Sequence, residues 1–127
     1  MNGFDLGPQA LEADRRRLLA LLTEKSYAKK KVVLSSGRES DFYIDCKKTV
    51  LTAEGHWLVG RLLYAQVRRE APQAVGVGGL TMGADPIASS VCLISHLAPP
   101  VSRVRLGAAA GRAGARVWAP GFRSALP

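Results

Sequence analysis

Residues 74–94 read AVGVGGLTMGADPIASSVCLI. Ala74, Val75 and Val77 form a short apolar run bounded by glycine, which suits a buried strand over 74–77. A glycine-bearing turn over 78–84 follows, and then a helix. Pro86 fits the first helical position, where its missing N–H would be unbonded anyway, and Asp85 fits the N-cap before it. A strand, a turn and a helix N-terminus in that order leave backbone N–H groups pointing out of the loop, which favours anions and phosphates above all. Gly78, Gly79 and Gly83 match neither GxGxxG nor the Walker lysine motif. Spacing alone therefore also allows a plain tight connection in which glycine merely permits positive φ.

The segment before this stretch is helical in pattern. Thr52 can cap a helix over 54–70, with Glu54 in its first turn. Trp57, Leu58, Leu62, Leu63, Ala65 and Val67 make a broad apolar stripe, with Arg61, Arg68 and Arg69 expected largely off it. Pro72 separates this helix from the strand, on which it should pack. Helix, strand, helix is half of a doubly wound α/β unit, so the sheet strands are expected to be parallel and buried.

Nearer the N-terminus, residues 1–8 read as a frayed lead-in. Leu11, Leu18, Leu19, Leu21 and Leu22 then recur at helical spacing over 9–26, with Arg15, Arg16 and Arg17 on a solvated face. Lys29, Lys30 and Lys31 precede Val32, Val33 and Leu34, a short strand. SSGRES (35–40) is a polar turn, and DFYIDCKK (41–48) alternates Phe42, Ile44 and Cys46 with Tyr43, Asp45 and Lys47, the period of a strand. Together they predict a hairpin or bent β-arm. Asp45 is expected to face solvent or pair with Lys47 or Lys48.

The 127 residues make one domain's worth of chain, and 47% hydrophobic content is enough for a modest core. The net charge of +8 is unevenly spread. Residues 1–98 carry 13 Lys+Arg against 10 Asp+Glu, whereas 99–127 carry five Arg and no acid. The basic excess thus belongs mostly to the last quarter. Cys46 and Cys92 lack CxxC spacing and read as buried or half-buried free thiols in a reducing compartment. His56 and His96 have no ligand-spaced partner and read as structural. No apolar run reaches the length of a membrane span, and acids stand where a signal peptide would be basic, so a cytoplasmic location is expected.

Three motifs carry a family resemblance: LSSGRESDFYIDCKK (34–48), TAEGHWLVGRLL (52–63) and VGGLTMGADPIA (77–88). In order and spacing they closely resemble the N-terminal part of bacterial orotate phosphoribosyltransferases, over about residues 10–97. The resemblance implies an α/β chain with an incomplete type I phosphoribosyltransferase fold. That fold is a parallel sheet flanked by helices, with an N-terminal hood of helix plus β-arm, over residues 1–98.

It also implies a glycosyl transfer in pyrimidine (UMP) biosynthesis: orotate and phosphoribosyl pyrophosphate (PRPP) give orotidine 5′-phosphate and pyrophosphate. Mg²⁺ would accompany PRPP, and the intact family works as a homodimer. Carried over by motif, Ser35, Ser36, Gly37 and Arg38 are the hood turn, and Tyr43 and Ile44 meet the orotate ring. Thr81, Met82, Gly83, Ala84 and Asp85 hold the pyrophosphate. No catalytic residue and no metal ligand is assigned in this chain. The residues themselves agree, since N–H donors before a helix suit a departing pyrophosphate, and an aromatic on a half-exposed arm suits a flat pyrimidine.

The chain also departs from the family. Some members have lysine just before SGR, where this chain has Ser35, and some have Tyr-Lys in the pyrophosphate loop, where it has Thr81 and Met82. Arg38 could compensate, though an arginine in a polar turn is more often solvated. After Leu97 neither an RKExKxHG-like mobile loop nor the paired acids and Thr-rich glycine loop of the family follow. Residues 99–127, built mainly from Ala, Gly, Arg and Pro, are expected to be poorly ordered, with at most a weak strand over 101–106. They look like the product of a GC-rich gene read in a shifted frame. The expectation is therefore a truncated or frameshifted relative, inactive alone. Two alternatives remain: a non-catalytic remnant that pairs with a full-length subunit, and a basic-tailed binding module, for which no nucleic-acid motif is present.

Overall fold

The computed structural model describes residues 4–80 and 82–98, together with the backbone of two strands at 105–108 and 115–118. Helix α1 (Pro8–Leu21) starts on a proline at its first turn, as the missing N–H allows. Glu12 ties down Arg15 and Arg16 one turn away. Past Leu21 the helix widens into a π turn, Leu22–Ser26, closed by the Tyr27 N–H donating to the Leu22 carbonyl. The turn is stapled inside the protein, where Ser26 Oγ and Thr49 Oγ1 lie 2.6 Å apart.

The β-arm follows as four two-residue strands: β1 (Tyr27–Ala28), β2 (Val32–Val33), β3 (Glu39–Ser40) and β4 (Tyr43–Ile44). They nest antiparallel, β2 against β3 and β1 against β4, so the arm is one interrupted hairpin. At its tip the Gly37 N–H donates to the Leu34 carbonyl, and Gly37 has φ 81°, a conformation glycine adopts without strain. The expected continuous strand over 41–48 is corrected. Lys47 and Lys48 belong to a short helix, α2 (Lys47–Val50), because Asp45 Oδ1 accepts the Lys47 N–H and turns the chain.

Helix α3 (Ala53–Glu70) is capped as expected, with Thr52 Oγ1 accepting the Gly55 N–H at 3.1 Å. Arg61 is not off its apolar stripe but buried, 5% exposed, because it pairs with Asp14 of α1 and donates to the Asp5 carbonyl at 2.6 Å. Strand β5 (Gly76–Gly79) begins two residues later than the sequence suggests and is buried at every position. Helix α4 (Asp85–Leu97) lies between β5 and α3, so α3 packs chiefly on α4 and α1 rather than directly on the sheet. Tyr64, Ala74, Val77, Ala88, Val91, Ile94 and Ala98 form the buried core between these elements.

Two further strands flank β5. Strand β6 (Arg105–Ala108) runs parallel to it, with Val77 opposite Leu106, and β7 (Ala115–Trp118) runs antiparallel, with Val77 opposite Val117. The all-parallel sheet expected from the sequence is therefore corrected to a mixed one, and a strand exists beyond 106 where none was expected. The rest of residues 99–127 lies outside the described residues. No described helix is long and apolar enough to cross a membrane.

Candidate functional site

The loop between β5 and α4 starts at Leu80. Its turn is closed by the Ala84 N–H donating to the Leu80 carbonyl at 3.0 Å, and Ala88 N–H then donates to Ala84. The cap position belongs to Ala84 (φ −92°, ψ −12°), not to Asp85 as the sequence suggests, and no side chain caps the helix. Asp85 is instead the first helical residue, with Pro86 in the first turn. The first N–H groups of α4 have no acceptor within the helix, and no side-chain cap competes for them. This uncapped end of a 13-residue helix favours an anion.

Met82 is 80% exposed, Gly83 is exposed and Ala84 is buried. Thr81 lies outside the described residues. A Cβ built on Gly83 would meet nothing within 4 Å, and its φ lies outside the left-handed region. The alternative in which Gly83 serves a positive-φ turn is therefore removed for that residue. Neither turn geometry nor packing asks for glycine there.

On the arm, Tyr43 is 42% and Ile44 48% exposed. Lys30 Nζ lies over the Tyr43 ring, 5.1 Å from its centroid. Tyr27 and Phe42 stack beside them at 6.1 Å and 26°. Ser35, Ser36, Gly37 and Arg38 are all exposed at the tip. The arm is anchored to the end of α1 through the Asp45 N–H, which donates to the Ser26 carbonyl, whereas the loop is anchored to β5 and α4. Among the described residues no hydrogen bond joins the two. Lys30 is the residue that sequence reasoning passed over. Its place over Tyr43 depends on the β1–β4 register, which pairs Tyr43 with Ala28, although an aromatic near a lysine run was visible.

Cys46 is exposed and Cys92 half-buried; both are free, which corrects the expectation of burial for Cys46. Among the described residues no group of three or more His, Cys, Asp or Glu could hold a metal ion. A cavity of 610 Å³ is lined by Leu11, Leu18, Val50, Val59 and Leu62 among others, and by none of the residues of the arm face or the loop. It is a groove along α1 and α3 with an apolar floor, and Arg15, Gln66, Arg68 and Arg69 also line it.

A sheet packed against helices whose strand–loop–helix presents an uncapped N-terminus, together with an antiparallel β-arm, defines an α/β chain with an incomplete type I phosphoribosyltransferase fold. In sequence it is a relative of the orotate phosphoribosyltransferases, over a stretch that fits their N-terminal part. The enzyme of Sorangium cellulosum (strain So ce56) is 53% identical over 85 residues, 67% of this chain and 44% of the relative. That of Thermosynechococcus vestitus (strain NIES-2133 / IAM M-273 / BP-1) is 49% identical over 84 residues, 66% of this chain and 43% of the relative. Among solved structures, orotate phosphoribosyltransferase of Mycobacterium tuberculosis H37Rv in complex with PRPP superposes with a TM-score of 0.54 at 32% identity, covering 75% of this chain and 53% of that one. A phosphoribosyltransferase from Corynebacterium diphtheriae gives 0.57 at 29%, covering 76% and 49%. The chain thus spans about half the length of the relatives it matches. No family model matches it.

Proposed function

We propose that this chain is the ligand-gripping half of an orotate phosphoribosyltransferase. The loop around Thr81, Met82, Gly83, Ala84 and Asp85 would take the pyrophosphate of PRPP, and Tyr43 and Ile44 would take orotate under the hood turn of Ser35 to Arg38. Gly83 carries the reading. It has an ordinary φ and open space around it at an uncapped helix N-terminus, so close approach of a ligand is the remaining reason for glycine. A related enzyme solved with PRPP supports the choice of anion.

Mg²⁺ fits this reading as an ion that arrives with the diphosphate, since it is commonly held by substrate phosphates and one or two carboxylates. Asp85 is the carboxylate in the loop that could join it. The ion would offset charge on the leaving pyrophosphate; the chain's own part is to present N–H donors and hold the group in place. As 127 residues, the protein is proposed to lack useful turnover. Its sequence after Leu97 holds no further phosphate loop, and most of the acceleration in such displacements comes from positioning and charge stabilisation. Pairing with a complete copy of the enzyme would supply what it lacks.

Calorimetric titration with PRPP and Mg²⁺ tests the reading. PRPP should bind the natural chain, and Gly83→Val should abolish binding while leaving the melting temperature unchanged. Absence of PRPP binding by the natural, cooperatively melting chain overturns the proposal. Turnover of orotate near one per second, a typical enzyme rate, overturns the inactive part of it.

A further inference from the structure

We propose that Lys30 makes the arm selective for a carboxylate-bearing pyrimidine over an uncharged one. The inference rests on the reading that Tyr43 and Ile44 meet a flat base. Tyr43 pairs with Ala28 across the β1–β4 ladder. The chain then carries Lys30 two residues beyond that partner, and its long side chain returns over the exposed ring, with Nζ 5.1 Å from the centroid. Among the described residues the ion pairs are all made by arginines, so the Lys30 charge is not spent on a carboxylate. Lys30 is also the one lysine of the three-lysine run found over an aromatic ring among the described residues.

An ammonium on an exposed aromatic face is weakly held. A base that stacks on Tyr43 takes that face and displaces the ammonium to the rim of the ring. If the base carries a carboxylate at its edge, Lys30 exchanges the cation–π contact for a charge-assisted hydrogen bond, which is the stronger of the two. If the base is uncharged, Lys30 gives up the same contact and gains at most a carbonyl acceptor. The displaced lysine therefore favours the first ligand and disfavours the second, and discrimination arises from both sides of the comparison.

Titration calorimetry of the full chain, with Mg²⁺ and PRPP present, compares orotate with uracil for the natural protein, Lys30→Gln and Lys30→Arg. The natural chain should bind orotate more tightly than uracil. Lys30→Gln should weaken orotate by roughly tenfold, the size expected for a hydrogen bond to a charged group. The same variant should leave PRPP unchanged and bind uracil slightly more tightly, since no cation–π contact is then displaced, and Lys30→Arg should retain the preference. Orotate binding that is indifferent to Lys30→Gln overturns the inference while the functional reading stands. Equal weakening of orotate, uracil and PRPP overturns it too, since the lysine would then only shape the arm. If the natural chain binds PRPP but neither base, the inference and the arm's assignment both fail while the loop's stands. If it binds none of the three, the functional reading falls as well.

Discussion

Arg61 Nε donates to Asp14 Oδ2 at 2.7 Å, and the two side chains are 7% and 16% exposed. This pair joins α3 to α1 inside the protein. Arg61 also donates to the Asp5 carbonyl at 2.6 Å and lies 5.6 Å from the Trp57 ring centroid, so one side chain gathers the N-terminal segment, the first helix and its own helix.

Removing one partner should leave the other buried without its opposite charge. Arg61→Ala or Asp14→Ala is expected to cost about 3–5 kcal/mol in a urea melt. Arg61→Met with Asp14→Leu together should recover most of the loss, since a buried pair is often replaceable by apolar residues of similar volume. A double variant as unstable as the singles would contradict this account.

Helices α3 and α4 meet at Gly60. A Cβ there would lie 2.7 Å from the Ser90 carbonyl oxygen and 2.8 Å from Ile94 Cγ1. In an exposed helix Gly→Ala gains roughly 1 kcal/mol, but here the backbone of α4 has to move. Gly60→Ala should therefore destabilise by about 1–3 kcal/mol, as overpacking does. An unchanged or raised melting temperature would mean that the helices separate easily.

Tyr64 is 1% exposed, and among the described residues its hydroxyl has no hydrogen-bond partner. Burying an unpaired hydroxyl costs about 1–3 kcal/mol by protein mutational data. Tyr64→Phe keeps the ring in the core and removes that cost, so the variant should melt at or above the natural temperature. A loss above about 1 kcal/mol, the worth of an ordinary hydrogen bond, would indicate that the hydroxyl is bonded after all.

Acid should weaken the fold from its surface. Arg17 holds the Glu54 carboxyl below its ordinary 4.5 by hydrogen bond and charge, Arg16 does the same for Glu12, and Arg69 for Glu70. A carboxyl with a lowered folded pKa contributes stability that is present above the unfolded value and lost as pH falls through the folded one. The contribution should fade below about pH 4.5, and it is small because both partners of each pair are well exposed. Melts of Glu54→Gln between pH 6 and pH 3 should show a shallower acid slope than the natural chain. Parallel curves would exclude the Arg17 pair as a source.

Much of the layout is legible in residues 74–94, because a short apolar run, a glycine turn and a proline-started helix are local patterns. The helix over 54–70 was legible too, with Thr52 as its cap, since capping involves neighbours in sequence. Errors of one or two residues at Asp85 and at the start of β5 arise where local preferences are nearly balanced. Arg61 could not be read this way, because its partner lies 47 positions away. Lys47 and Lys48 were misassigned because alternation over eight residues is weak against a carboxylate that turns the chain.

The sequence by itself determined the family likeness, the helices and the βα loop, since each depends on residues within a few positions of one another and on periodicity. Tertiary structure decided which side chains lie together: Arg61 with Asp14, Gly60 against Ser90, and Lys30 over Tyr43. It also decided that β7 joins β5 antiparallel. Such pairings depend on register and on the packing of whole elements, which short-range pattern does not encode.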